Sequence, residues 1–353
     1  MATISENKLT LLDYLKRCKG NGSFDYQLVD FITKNNPILK DVTFVESNDG
    51  TSHTVTLATG LRRPAWAGYG EGVPHGKVNY NQLKFVAGRM VDSVMLEGDA
   101  WEEANEEGKK EMLAKEVEFT AEGMNQLRPE TLFYGSIDTE PRSFNGLSSI
   151  YKICGGHLAG VSEEDVRHYV LNGAKAVSPS EDDLRTIWCV KWDKDHMTAF
   201  YPKGHASVGI EKGALSKITQ ERNGRTFDYY TQKLRWKAGL AMSDFRYAGA
   251  IRNIEADQMV TADGHVKTGQ PNYIQLVQKL INRVNDTGSG RKALYMPKIV
   301  WENLMTIFGN LTQSNAITFE DVDQYRKVPH LYGIPVACCR CLDRDETFVP
   351  LAQ

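Results

Sequence analysis

The sequence predicts a mixed α+β protein, and three patterns carry that prediction. Apolar residues at Leu113, Val117, Ala121, Met124 and Leu127 recur in steps of three and four, which draws one stripe along a long helix over about 105–128. Runs rich in aromatic and β-branched residues, at 187–192, 197–201, 226–236 and 245–254, read as strands. In the last third, Tyr273, Val277, Leu280, Ile281 and Val284 form one helical stripe, and Val300, Leu304, Ile307, Phe308 and Leu311 form a second with the same spacing. Strand-like runs at 292–296 and 333–342 accompany these helices, so two helices on a central sheet make a compact layer.

Taken in order, residues 1–47 are polar with two short apolar faces. Leu11, Leu12, Tyr14 and Leu15 make one, Leu28, Val29, Phe31 and Ile32 the other, and Gly20-Asn21-Gly22 separates them as a turn. Neither piece is long enough to be stable alone, so both need a surface on this chain or a neighbour. Thr54-Val-Thr-Leu57 alternates as a strand does, and Val78, Tyr80 and residues 84–87 supply its return. The connection between them is longer than compact domains favour. It carries Arg62, Arg63, Pro64, Trp66 and Tyr69, the composition of an interface between proteins. Its glycines do not make a phosphate loop, because Gly76-Lys77 is followed by Val78 and then by strand-like sequence.

At the long helix, Asp99 with Glu102 fits a capping box, and acidic first turns suit a helix N-terminus. Glu106 with Lys110 and Glu111 with Lys115 are spaced to pair on the solvent side. From 109 to 128 the helix would run roughly 30 Å. Pro129 disturbs or ends it, since an interior proline removes a hydrogen bond and clashes with the preceding turn. Thr131-Leu132-Phe133-Tyr134-Gly135 follows, then a short acidic loop, then Phe144-Asn145-Gly146-Leu147. With Gly123-Met124-Asn125-Gln126 ahead of it, this ordered set resembles the major capsid proteins of tailed double-stranded-DNA bacteriophages, in particular the coat proteins of short-tailed phages of the epsilon-fifteen type. The resemblance covers most of the chain and departs at Pro129.

The resemblance implies the Hong Kong 97-like fold. Residues 1–47 would be an N-terminal arm reaching across a capsomer, and 48–96 an extended β-hairpin loop lying over the adjacent subunit. Residues 97–255 would be the peripheral domain with its spine helix, with axial-domain segments starting near 150. Residues 256–353 would be mainly the axial domain, which meets its copies around symmetry axes.

Between spine and axial domain, 162–171 reads as a short helix begun by Ser162-Glu-Glu-Asp165. Residues 187–192 and 197–201, flanking Asp193-Lys-Asp-His196, read as a β-hairpin. Pro271 and Pro297 sit near the starts of the two later helices, where a missing N–H costs nothing.

Composition bounds the function. The chain has 353 residues, 41% hydrophobic and 25% charged, enough for a large core in a soluble globule. A formal net charge of −3 argues against a dedicated nucleic-acid binder, yet suits a wall to which DNA does not adhere. The first residues carry no basic region followed by an apolar run, and no apolar run reaches the ~20 residues of a membrane span. The six cysteines lack CxxC spacing and read as reduced thiols; Cys338, Cys339 and Cys341 fit a buried strand rather than a metal site. There is no GxSxG elbow, no HExxH pair, and the eight histidines are scattered. Asp182-Asp183 and Glu163-Glu164-Asp165 read as helix starts and solvated faces. Asp343, Asp345 and Glu346 follow the last strand, where an α/β ligand site could sit, and supply the remote alternative of a metal-dependent hydrolase.

The expected function is therefore self-assembly into pentamers and hexamers that close an icosahedral shell around double-stranded DNA, without sequence-specific binding. No catalytic residue, cofactor, metal or membrane is expected. The sequence carries no long extension ahead of the arm, so the resemblance implies a separate scaffolding protein, plus a portal protein at one vertex, and it leaves room for a decoration protein. The product would be a virion component made in the host bacterial cytoplasm. An encapsulin-like compartment is the alternative with the same fold.

Overall fold

The structure is a computed structural model that describes residues 37–60, 64–70, 72, 79–151, 168–174, 183–204, 209–222, 225–310, 317–323, 326–346 and 348. The N-terminal apolar faces expected at Leu11–15 and Leu28–Ile32, and Arg62 and Arg63 of the loop, lie outside the described residues. The helices are α1 (Ile38–Asp41), α2 (Gly98–Glu103), α3 (Glu106–Tyr134), α4 (Leu147–Ile150), α5 (Tyr273–Arg283) and α6 (Lys298–Gly309). The strands are β1 (Phe44–Glu46), β2 (Ser52–Gly60), β3 (Asn79–Val86), β4 (Gly88–Glu97), β5 (Val170–Asn172), β6 (Leu184–Trp192), β7 (Met197–Tyr201), β8 (Glu211–Lys212), β9 (Ser216–Arg222), β10 (Arg225–Met242), β11 (Ala248–Glu255), β12 (Arg291–Met296), β13 (Ile317–Asp323), β14 (Arg326–Leu331) and β15 (Ile334–Cys338). They form two units that interleave along the sequence: one holds Arg89–Arg128 and Ala206–Lys237, the other Asn35–Gly88, Pro129–His205 and Ala238–Gln353.

The first unit contains most of α3. The capping box expected at Asp99 and Glu102 is not formed. Glu97 caps α2 instead, its carboxylate accepting from Ala100 N at 2.9 Å. Ala104 then turns extended, at φ −70° and ψ 146°, which splits the expected single helix in two. Asn105 starts α3, accepting from Gly108 N at 2.8 Å through its side chain. Glu102 is left to pair across the sheet with Lys217 at 2.8 Å, and Lys217 also holds Asp228 at 2.9 Å. Hydrogen bonds to Lys217 keep the Glu102 carboxyl below its usual range. Glu106 pairs with Lys109, three residues on, rather than with Lys110.

Along α3, Met112, Val117 and Met124 are buried, and Leu113 is half-buried. Leu127 does not belong to the buried stripe: it is 47% exposed. Ten residues at 3.6 per turn carry it about 80° round the helix from Val117, to the margin of the covered face. Arg128 takes cover there, stacking over Trp236 at 4.6 Å, and burial pulls its pKa down to about 10. The strands of this unit flank the first part of β10, which pairs antiparallel with β9 from Thr231↔Ser216 to Arg225↔Arg222.

Pro129 does not end α3, which continues to Tyr134. A proline inside a helix costs about 3 kcal/mol. The next turn offsets it, because Leu132 and Phe133 are both 0% exposed and each such burial contributes about 1.5–3 kcal/mol.

The second unit is organised by a seven-stranded sheet in the order β13-β14-β15-β12-β6-β11-β5. All nine residues of β6 are buried. On one face Ile187 and Cys189 of β6 join a core with Tyr273, Val277, Leu280, Val300, Leu304 and Phe308 of α5 and α6. Both helices thus use the stripes read from sequence, except that Leu311 lies outside the described residues and Ile281 is only partly buried. Both prolines stand near the helix starts as expected: Pro271 precedes Asn272, which caps α5 by accepting from Gln275 N, and Pro297 is the residue before α6. On the other face Phe133 lies 6.3 Å from Trp188 and 5.8 Å from Tyr295, ring centroid to centroid, and Tyr151 meets Trp188 edge-on at 6.0 Å.

Three strand expectations are corrected. β6 and β7 do not pair as a hairpin: β6 lies between β11 and β12, and β7 pairs with β1 and with the end of β10. A strand buried on both faces has no polar–apolar alternation from which to read its partner. Residues 245–247 form a 3₁₀ turn capped by Asp244, so that strand begins at Ala248. The helix expected at 162–171 fails at its end, where Val170–Asn172 is a strand parallel to β11; residues 162–167 lie outside the described residues. The hairpin of β2 and β3 agrees with expectation, in register from Ser52↔Val86 to Ala58↔Tyr80, with a shift before Gly60↔Asn79.

Burial along α3 makes a testable distinction. Val117→Asp should destabilise the unassembled subunit by about 3 kcal/mol or more, since a charge is buried without a partner. Leu127→Asp should cost only about 0.5–1 kcal/mol. Circular dichroism melts of the two variants check the difference.

Candidate assembly surfaces

The motif 131–135 with 144–147 is a backbone-to-backbone contact. Thr131–Tyr134 is the last turn of α3, and Gly135 N donates to Thr131 O at 2.8 Å to close it. Gly146 N then donates to Gly135 O at 2.8 Å, and Ser149 Oγ donates to the same carbonyl at 2.6 Å. A Cβ on Gly135 would stand 2.5 Å from Phe144 O and 2.5 Å from Thr131 O; one on Gly146 would stand 2.5 Å from Thr131 O and 2.7 Å from Leu132 O. Only glycine permits that approach. The contact presses Leu132, Phe133, Phe144 and Leu147, each at most 2% exposed, against the sheet. Tyr134 sits at the edge, its hydroxyl donating to Glu346 Oε1 at 2.5 Å; burial and that carboxylate push its phenol well above the usual range. The motif is thus a packing device and presents no reactive group to solvent.

The loop between β2 and β3 is its opposite. Pro64, Trp66 and Tyr69 are exposed, and Trp66 and Tyr69 are 104% and 112% exposed, as much as in an isolated chain. Large aromatic side chains exposed in this way mark a candidate interaction surface.

The carboxylates considered for metal chemistry are engaged elsewhere. Asp343 Oδ1 accepts from Lys298 N at 3.1 Å at the start of α6. Asp345 pairs with Arg185 at 2.8 Å, and Glu346 with Arg252 at 2.5 Å. Among the described residues no group of three or more His, Cys, Asp or Glu is arranged to hold a metal ion. Burial pushes the Cys189 thiol up to about 12 and the Cys338 thiol up to about 11, as befits packing residues. Two anchors were missed in the sequence. Asp41 accepts from Tyr295 Oη at 3.0 Å and pairs with Arg291 at 3.0 Å, tying α1 to β12. Arg252 was absorbed into a strand run; an arginine flanked by isoleucines and alanines was the available signal that a buried counter-ion must exist.

The profile of the major capsid protein GP7 family matches residues 19–350. The chain belongs to that family. This capsid protein builds the icosahedral shell of a phage virion, and its family is one of structural proteins. Its fold is Hong Kong 97-like. The capsid structure of bacteriophage Epsilon15 is similar at a TM-score of 0.72 and 20% identity, covering 96% of each chain. The bacteriophage JBD30 capsid is similar at 0.52 and 13%, covering 91% of this chain and 95% of that one. The SrpI encapsulin of Synechococcus elongatus matches at 0.42 and 10%, over 70% of this capsid protein. No curated protein matches the sequence. The family match favours a phage capsid over an encapsulin-like compartment.

The glycine contact predicts opposite outcomes for two Gly→Ala changes in this capsid protein. Gly146→Ala should destabilise the subunit by about 1–3 kcal/mol, because the new methyl meets backbone atoms that cannot move aside. Gly123→Ala, in an exposed stretch of α3 with open space around it, should stabilise by about 0.5–1 kcal/mol. Denaturant unfolding of both variants measures this.

Proposed function

We propose that copies of this protein form pentamers and hexamers that close around double-stranded DNA without sequence-specific contacts. The exposed aromatic loop carries this reading: Trp66 and Tyr69 have no cover in their own subunit, and a ring in which one face meets a different face of the next copy supplies it. Individual contacts can be modest because each subunit is held by several neighbours at once.

In this reading residues 1–47 are an arm, 48–96 the extended loop, 97–255 a peripheral domain with its spine helix in which axial-domain segments begin near 150, and 256–353 mainly an axial domain. Near the end of residues 1–47, Ile38 is fully buried and Asp41 is tied to β12, so the subunit itself holds α1. The shell is built in the host bacterial cytoplasm with a scaffolding protein, receives a portal protein at one vertex, and accommodates a decoration protein. The protein has no catalytic role, cofactor or metal.

Electron microscopy of purified protein, alone and with scaffold, should show capsomers or shells; a compact monomer under every condition would overturn the reading. Replacing residues 64–74 with a short Gly-Ser turn should leave a folded subunit, with an unchanged melt, that builds no stable shell. Arg62 and Arg63 are proposed to pair with acidic groups of a neighbour. Reversing both to Glu should raise the concentration needed for assembly, read by light scattering, without altering the melt of unassembled subunits.

A further inference from the structure

Glu346 joins three elements of the second unit. Its backbone N–H donates to Leu184 O of β6 at 3.1 Å. Its Oε1 accepts from Tyr134 Oη, at the end of α3. Its Oε2 accepts from Thr186 Oγ1 of β6 at 2.6 Å and from Arg252 Nη2 of β11 at 2.5 Å. The Glu346 and Arg252 side chains are 4% and 2% exposed. Two residues earlier, Arg344 Nη1 donates to Glu130 Oε1 at 3.1 Å, and its guanidinium lies 5.0 Å from the centroid of the Tyr134 ring. Between these, Asp345 pairs with Arg185, which also donates to Arg344 O at 3.3 Å. Residues 344–346 therefore grip the last turn of α3 on one side and β6 with β11 on the other.

The energetics make this grip all-or-none. Removing one member of a buried ion pair strands the other in a low dielectric, which costs more than the pair gains. The partners of Glu346 stand 94 to 212 positions earlier in the chain, so the contact closes only when the end of the chain reaches the folded unit.

We infer that residues 344–346 form a latch that seats the last turn of α3 on the central sheet, and that the subunit becomes competent to assemble only when the latch is closed. The seating stands on contacts within one subunit; its link to assembly rests on the shell-forming reading.

Hydrogen exchange on unassembled subunits tests the seating. In Glu346→Gln and in Tyr134→Phe, amides of residues 130–135 should exchange about tenfold faster or more, the factor expected for losing one hydrogen bond to a charged group, while those of Tyr273–Arg283 keep their protection. An unchanged rate at 130–135, or an equal rise in α5, overturns the latch. Tyr134→Phe removes one hydroxyl and keeps the ring, so it decides the matter if Glu346→Gln is insoluble. The double change Arg252→Met with Glu346→Leu removes both buried charges together and should melt higher than Glu346→Leu alone, while exchange at 130–135 stays raised. It should still melt below wild type, because the Tyr134 and Thr186 hydroxyls lose their acceptor. A double change that melts no higher than Glu346→Leu overturns the ion-pair part of the latch. Shell yield should fall in each variant with raised exchange. Full yield from such a variant overturns the assembly link alone, whereas a wild-type chain that never forms shells is a failure of the shell-forming reading instead.

Discussion

Burial of β6 on both faces is the constraint on which the second unit depends. A strand with no solvent-facing side must find cover twice over and satisfy every polar group it brings inside. The helices α5 and α6 cover one face through Ile187 and Cys189. The aromatic layer of Phe133, Tyr151 and Tyr295 covers the other around Trp188 and Trp192, and Trp192 Nε1 donates to Tyr295 Oη at 2.9 Å. Most of its polar groups are answered individually: Lys191 Nζ donates to Thr287 O at 2.9 Å, Thr186 to Glu346, and Arg185 pairs with Asp183 and Asp345, whereas Arg185 Nε and Trp188 Nε1 are buried without a hydrogen-bond partner among the described residues. The glycine contact between Gly135 and Gly146 exists in service of that second layer, since it is what lets Phe133 reach the sheet.

The same chain leaves other apolar groups unanswered. A subunit that buries two tryptophans in one strand has no shortage of core, so the full exposure of Trp66 and Tyr69 is not a failure to bury them. In the proposed reading it reflects a division of labour between residues that hold the subunit together and residues reserved for the next copy. Burial of aromatic area drives both, but the second set becomes favourable only when the cost of bringing subunits together has been met. That ordering suits a shell that must fold first and assemble afterwards.

Much of this architecture was legible in the sequence where the signal is local and periodic. The stripes of α5 and α6, the alternation of β2, and the ordered motif 131–147 each report geometry set by the chain's own repeat, 3.6 residues per turn or two per pleat. The motif alone points to the family that the profile match shows, and the loop holding Trp66 and Tyr69 is exposed. Local patterns did not reveal the partner of β6, because a run buried on both faces has no alternation, nor the continuation of α3 past Pro129, because its compensation comes from Leu132 and Phe133 meeting the sheet.

Sequence by itself determined the family and most of the element types, since these follow from composition and spacing along the chain. Tertiary structure alone decided where Leu127 faces, why Gly135 and Gly146 must be glycines, and what Glu346 does. The carboxylates read as a metal-site alternative are ion-pair and capping groups, and Glu346 acquires that role only when residues 94 to 212 positions away are brought within 2.5–2.6 Å of it. Contacts between such distant residues carry no periodicity in the sequence, so only the folded chain can specify them.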